Sequence, residues 1–473
     1  MLGEIIPASL VTLLSNFQQC FSKSSYNNFV ILTIGWITCQ GRHSISRVIQ
    51  ASGDLAQGKH HSSFYRFLSR AQWTVDSLGE VIFHLVKGFL PFEVIVAVDD
   101  TLCQKNGPHI FGAGMFFDAS RSTYGRGTKK GSKKFFAYGH NWVVLALWVP
   151  LPWNSARGLA IPILFRIYRN KKRCPEGQFR KRTELAAELV NIFATWMPAG
   201  RPLHVVGDGE YACETLVRDL PKGIFFTGPI VMDAAVYAKP EKYAGRGCPR
   251  KRGKRLLSPK QLIAKRSVSW REITLTIYGQ EVTILTKTQM CMWYGTAGTR
   301  WGRMVVTRDP AGRLKDRAFF STKEEASVED VLVQFSRRWE IEVTFRNAKQ
   351  VVGMQDPQNG WWRRKGGRAK RKKAGPNPRG TRGQKAVLHT MAMAFVSYNL
   401  IVIWYLYHGD RKADTARVQS EAPWYQHKAN PSFNDMVAAI RREIWVSRFS
   451  AHPVFRWVRD KICDLLPHWL LAA

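Results

Sequence analysis

The order of apolar segments between residues 93 and 231 restricts this chain to few folds. Residues 93–100 (EVIVAVDD) form a continuous apolar run that stops at two acids, and 141–150 and 159–168 are further runs of strand length. Continuity without polar alternation is what strands covered on both faces require. Residues 181–197 then read as an amphipathic helix and 203–208 (LHVVGD) as a strand closing on another acid. A short helix at 213–220 and a fifth strand at 224–231 complete the series. In such an order, three strands in a meander followed by alternating helices and strands, the first and fourth strands lie side by side and parallel. Asp100 and Asp208, at the carboxyl ends of those two strands, become neighbours.

This is the order of an RNase H-like fold, and the expected class is α/β: an RNase H-like catalytic core with a β-rich insertion domain, flanked by helical N- and C-terminal regions. The core is expected in two parts, 93–231 and 328–410. Strand-like runs at 272–278, 281–286, 303–307 and 318–321 assign the insertion to 232–327. Residues 1–92 read as short helices punctuated by Gly41 and Gly53 and bearing Arg42, Arg47, Arg66 and Arg70. They suit a DNA-binding module of helix-turn-helix type, and equally a plain packing domain. Residues 411–473 read as a C-terminal helical region.

Charge narrows the partners. Lys and Arg number 71 against 35 acids, a net charge of +36. Such an excess repels itself unless a polyanion screens it, which points to nucleic acid, with an anionic membrane surface as the rival. Residues 363–385 hold eleven Lys/Arg and no acid, among them Arg363 and Arg364, and read as a loop that phosphate neutralises. No uninterrupted apolar run reaches bilayer-spanning length. The closest, 391–407, contains Ser397, Asn399 and several tyrosines and reads as a buried helix, so no membrane partner is expected. The eight cysteines show no CxxC spacing, which suits a reducing cytoplasm.

Residues 335–349 (FSRRWEIEVTFRNAK) set an acid among evenly spaced bases. Arg338, Glu342, Arg346 and Lys349 fall at offsets of 4, 4 and 3, so a helix aligns them in one stripe, with Phe335 one step back. Ile341, Phe345, Ala348 and Val352 form an apolar stripe beside it. Such a helix holds a carboxylate rigidly while cations reach outward; the plainer alternative is an exposed helix with ion pairs worth a few tenths of a kcal/mol each. Asp100 and Asp208, taken singly, are ordinary turn starters. Taken together with Glu342, they make a set of hard oxygen donors suited to two Mg²⁺ ions, for which Mn²⁺ substitutes, clamping an in-line phosphoryl transfer.

The chain resembles the DDE transposases of bacterial insertion sequences, particularly the insertion-sequence-four group and its relatives. VDDT at 98–101 is similar to the first-aspartate motif, in which the acid before Thr is the ligand; this favours Asp100 over Asp99. VVGDGEY at 205–211 is similar to the second-aspartate strand, and GHNWVVLALWVPLP at 139–152 to the second strand of the core. The helix signature of Tyr, two residues, Arg, three, Glu, six, Lys is met by Phe335, Arg338, Glu342 and Lys349, with Phe in place of Tyr and so without the phosphate-binding hydroxyl. The resemblance implies metal-dependent cleavage at transposon ends and strand transfer into target DNA by a homodimer on paired double-stranded ends. The alternatives are an RNase H-like nuclease without strand transfer and a non-catalytic DNA-binding protein of the same fold.

DNA contacts are expected from Phe335, Arg338, Arg346 and Lys349, and from Lys105 with Arg121, Arg126, Lys129, Lys130, Lys133 and Lys134 in the loop after the first strand. Arg363 and Arg364 join them, as do Arg250, Lys251 and Arg252 in RGCPRKRGKR (246–255), which departs from the RGRP core of minor-groove hooks at Cys248. His140 is a candidate neighbour of the metal or a satisfied structural histidine. Trp293 and Trp301 are candidates to hold a flipped base or to serve as insertion core.

Overall fold

The protein is described by a computed structural model over residues 5–106, 109–118, 121–122, 135–241, 248–277, 279–358 and 379–451. Helices come first, among them α1 (Ala8–Ser15), α2 (Lys23–Thr38), α3 (Ile45–Ala51), α4 (Ser62–Ser69) and α5 (Val75–Val86). Ser22, Ser44 and Thr74 begin the second, third and fifth by accepting from backbone N–H groups of the first turn, the usual remedy for orphaned donors at a helix start.

The core strands are β1 (Val94–Gln104), β2 (Gly114–Phe117), β3 (Phe136–Leu151), β4 (Asn154–Tyr168), β5 (Leu203–Gly207) and β6 (Ile224–Pro229), with α6 (Arg182–Trp196) and α7 (Glu214–Val217) between the later ones. β1, β3 and β4 form the antiparallel meander, and β1 pairs parallel with β5, Val94 opposite Leu203 and Val98 opposite Gly207. The short strand β2, within the segment taken as loop, pairs with the start of β3.

The strands that follow do not form a sheet of their own. α8 (Pro259–Ala264), β7 (Arg271–Ile277), β8 (Gln280–Met292), α9 (Tyr294–Ala297), β9 (Trp301–Arg308) and β10 (Arg317–Ser321) return the chain to β6, against which β10 pairs antiparallel. The result is one sheet of order β2-β3-β1-β5-β6-β10-β9-β8-β7, with β4 also on β3. A smaller apolar cluster (Ile273, Leu275, Val305, Phe319, Val331, Leu332) packs β7, β9 and β10 against the next helix.

That helix, α10 (Val328–Arg337), opens with a capping box of Ser327 and Asp330, and α11 (Trp339–Gln350) follows after one intervening residue, Arg338. α12 (Thr381–His408), α13 (Arg411–Glu421) and α14 (Phe433–Ala451) complete the described chain. α12 is long and apolar enough to cross a bilayer by length and composition, yet its residues from Met391 to Leu406 are buried in the protein. It packs on α1, α2, α4, α5, β4 and α14, so its apolarity is used internally. The principal apolar core runs without interruption from Ile6 through β1–β6 to Ile444. The N-terminal helices therefore share the core of the sheet, with Trp36 donating to the carbonyl of Val352 beyond α11 at 2.9 Å.

Candidate active site

Asp99 and Asp100 lie in the regular part of β1, opposite Val144 and Val143 of β3. Successive strand side chains leave on opposite faces, and the two carboxylates meet different partners. Asp99 faces α11. Arg338 spans from it to Glu342, Nη1 donating to Asp99 Oδ2 at 2.9 Å and Nη2 to Glu342 Oε1 at 2.6 Å. The side chains of Asp99 and Arg338 are 13% and 14% exposed against 37% for Glu342, so the pair closes the inner end of the site and Glu342 its mouth. Burial pushes Asp99 up to about 8 against the pull of Arg338, and the charges of Asp208 and Asp100 add to the rise. Burial thus disfavours the charged form of Asp99, and the Arg338 guanidinium opposes that shift.

Asp208 follows β5. Its Oδ1 accepts from the backbone N–H groups of Glu210 and Tyr211 at 2.9 and 3.3 Å, which folds the chain into a tight turn. Gly207 permits it, because a Cβ there would lie 2.9 Å from that of Tyr211.

Asp100 meets the other set. It accepts from Asn141 Nδ2 at 2.6 Å, Tyr211 Oη at 3.2 Å and Arg182 Nη1 at 3.3 Å, while Arg182 Nε pairs with Glu210 at 2.6 Å. The Tyr211 side chain is fully buried, and burial with the nearby carboxylates raises its hydroxyl well above the usual tyrosine range, so it stays a donor. Asp100, expected as the first ligand, thus lies on the face away from Glu342. Asp99 takes the place beside it, for a reason that motif spacing does not register: one residue along a strand changes the face. Asn141, Arg182, Glu210 and Tyr211 were not singled out from the sequence, although Tyr211 closes the VVGDGEY run.

The helix signature is also interrupted. Arg338 sits between α10 and α11, with i→i+3 hydrogen bonds on both sides (Arg338 N to Phe335 O and Ile341 N to Arg338 O, 3.1 Å each) in place of a continuous α-helical ladder. Phe335, expected at DNA, is half-buried and packs against Phe319 of β10 with ring centroids 4.7 Å apart. Arg346 is exposed and Lys349 half-buried, both on α11 beyond Glu342.

Lys105 is no surface base. It is 5% exposed, and its Nζ donates to the carbonyls of Gln355 and Pro357 at 2.8 and 2.7 Å, with burial lowering it to about 8. It ties the end of β1 to the chain leaving α11. His140 is buried, bonded to the carbonyl of Phe111 at 2.8 Å and lowered to about 3 by burial and Lys105; it is a neutral structural histidine. Trp293 is core, edge-on to Phe320, and Trp301 carries Lys239 over its face. Arg250, Lys251 and Arg252 are exposed. They line a cleft of about 430 Å³ with Gly253 and Tyr294, and Arg252 stacks over Tyr237 and Tyr294 at 4.5 and 5.3 Å. Arg126, Lys129, Lys130, Lys133, Lys134, Arg363 and Arg364 lie outside the described residues.

Among the described residues no three acids, histidines or cysteines are gathered around one point; the guanidinium of Arg338 stands between Asp99 and Glu342. The donors are hard carboxylate oxygens, and the space between two of them already takes a positive charge. That chemistry fits a divalent cation.

Two family models match the chain. The model of the DDE superfamily endonucleases matches residues 16–297, more than half of the chain and including Asp99, Asp100 and Asp208. That of a family described as archaeal putative transposase ISC1217 matches residues 304–371, which hold Arg338, Glu342 and Lys349. Among curated proteins none matches the chain at a significant level. With the first model covering more than half of its length, this chain belongs to the DDE superfamily of endonucleases as an enzyme of the transposase kind.

Proposed function

We propose that Asp99, Asp208 and Glu342 hold two Mg²⁺ ions, for which Mn²⁺ substitutes, and that the protein cleaves transposon ends and joins the freed 3′ hydroxyl to target DNA. The observation that carries this reading is the convergence of Asp99 and Glu342 on one guanidinium at the edge where β5 delivers Asp208. Bound divalent ions make the attacking oxygen more nucleophilic and offset charge on the departing one. The remaining work falls to the protein. β1 and β5 set the spacing of the two aspartates, and α11 supplies the third acid from a buried apolar stripe of Ile341, Phe345 and Ala348. Asp100 is a positioning residue here: through Tyr211 and Arg182 it secures the turn that aims Asp208.

In cleavage a water oxygen bonds to phosphorus as the bond to the 3′ oxygen breaks. In strand transfer that 3′ hydroxyl attacks a target phosphodiester, exchanging one P–O bond for another. Arg346 and Lys349 lie on α11 on the way out of the site, and with Arg250, Lys251 and Arg252 they contact backbone phosphates, in keeping with the charge of +36. Two ends must be joined in concert, so the active species is a homodimer on paired ends, working at the nucleoid in the bacterial cytoplasm. The test is to incubate the protein with Mg²⁺, the DNA flanking its coding region and a target plasmid. Joined products support transposition; nicking with no joined product favours the simpler nuclease. Light scattering of the end complex that gives one protomer per unpaired end, under joining conditions, overturns the dimer.

A further inference from the structure

Arg338 is placed where a phosphate-binding base has little reason to be. Its side chain is 14% exposed, and both terminal nitrogens are engaged by acids that the proposed site assigns to metal. The arrangement nevertheless leaves the guanidinium incompletely satisfied, because its Nε is buried without a hydrogen-bond partner. The residue also occupies the single position between α10 and α11, where the ladder of α-helical hydrogen bonds gives way to i→i+3 bonds. A planar fork held by two carboxylates, with one donor unspent and seated at a helix junction, has a competing partner in any phosphate that reaches it.

We infer that Arg338 is an internal counter-cation that occupies the metal position in the DNA-free protein and is released to a DNA phosphate, so that DNA binding and metal loading are coupled. The inference rests on the assignment of Asp99 and Glu342 to metal. Two cations compete for the same carboxylates: the guanidinium neutralises them at no cost in translational freedom, and a divalent ion enters once the guanidinium leaves. A phosphate near Arg338 favours that departure, and by linkage metal favours DNA to the same extent. The arrangement keeps hydrolytic chemistry off until a substrate backbone is present.

Titration of the purified full chain with Mn²⁺, free ion being read by its paramagnetic resonance signal, tests this without reference to activity. Arg338→Gln, which keeps a planar amide but no charge, is expected to bind Mn²⁺ about tenfold more tightly than the parent in the absence of DNA, within the usual range for coupled sites. Arg338→Lys, a single-point cation, should fall between them. Arg346→Gln removes the same charge from α11 without vacating the position and should gain about threefold at most, the allowance for a general field effect. Removal of the guanidinium also leaves Asp99 buried and unpaired, so Mn²⁺ should raise the melting temperature of Arg338→Gln by more than it raises that of the parent. Equal affinities for the parent and both Arg338 variants overturn the inference, as does a gain in Arg346→Gln that matches Arg338→Gln. Equal Mn²⁺ uptake by Arg338→Gln with and without Glu342→Gln would instead show that the acids hold no metal, a separate failure of the site itself.

Discussion

Asp99 and Asp100 are consecutive residues whose carboxylates lie on opposite faces of β1, the first paired with Arg338 at 2.9 Å and the second bonded to Tyr211 at 3.2 Å. Asp99 thereby shares a guanidinium with Glu342, while Asp100 bonds to the turn that follows Asp208. It also makes the two acids distinguishable by experiment.

Asp99→Asn, Asp208→Asn and Glu342→Gln should each lower Mg²⁺-dependent end cleavage by about three orders of magnitude or more, and combining them should add little, since residues acting as one unit are not additive. Asp100→Asn should fall far less, because it keeps the shape that meets Tyr211. Gel assays of end cleavage decide the point, and loss with Asp100→Asn but not Asp99→Asn would reverse the assignment.

Tyr211→Phe removes one hydroxyl and leaves Asp100 short of a donor. A buried bond to a carboxylate of this kind contributes about 1.5–3 kcal/mol, so urea unfolding should show a loss of that order. The double variant with Asp100→Asn should be less destabilised than the sum of the two singles. Full additivity would mean that the two residues do not act through each other.

Basic residues should separate by place. Arg346→Ser and Arg252→Ser should each reduce the slope of log affinity against log salt by about 0.9 for DNA of any sequence. Lys105→Met should leave that slope alone and instead destabilise the fold by roughly 1–3 kcal/mol, since two buried carbonyls lose their donor. Salt titrations by fluorescence anisotropy, paired with thermal melts, separate the two effects.

Glu93 supplies a pH dependence remote from the acids of the site. It precedes β1 and accepts from His204 of β5, Lys323 after β10 and Gln334 of α10, tying the three together. Burial alone would raise it, but the hydrogen bonds and charges of His204 and Lys323 outweigh that and hold it down to about 2, from 4.5. A depressed acid contributes its stability above the unfolded value, and the contribution is lost as pH falls from about 4.5 to about 2. Roughly 3 kcal/mol is at stake by linkage, and Glu93→Gln should flatten the acid limb of a stability–pH curve in that window. An unaltered limb would show that the network carries no such charge.

Much of the architecture follows from the chain read alone, because it depends on local rules. Apolar runs of strand length and one amphipathic segment before LHVVGD suffice to order the elements and to bring β1 beside β5, although β1 runs on to Gln104, past the two acids read as its end. The excess of cations names a polyanion without any coordinates. What the sequence leaves open depends on which face meets which neighbour. VDDT presents two acids, and only the packing of α11 over one face of β1 sets Asp99 on the same guanidinium as Glu342. Lys105 reads as a surface base until the chain leaving α11 covers it with the carbonyls of Gln355 and Pro357, and nothing in the sequence announces that β10 brings Phe319 against Phe335. The strands of the insertion are visible as runs, but their joining of the core sheet through β6 and β10 is a pairing between segments nearly ninety residues apart. Periodicity is a property of neighbours along the chain, whereas burial and pairing are decided by residues distant in sequence. The order of the core elements is therefore legible in the sequence, whereas β2, the break at Arg338 and the partners of the side chains are settled only by the fold.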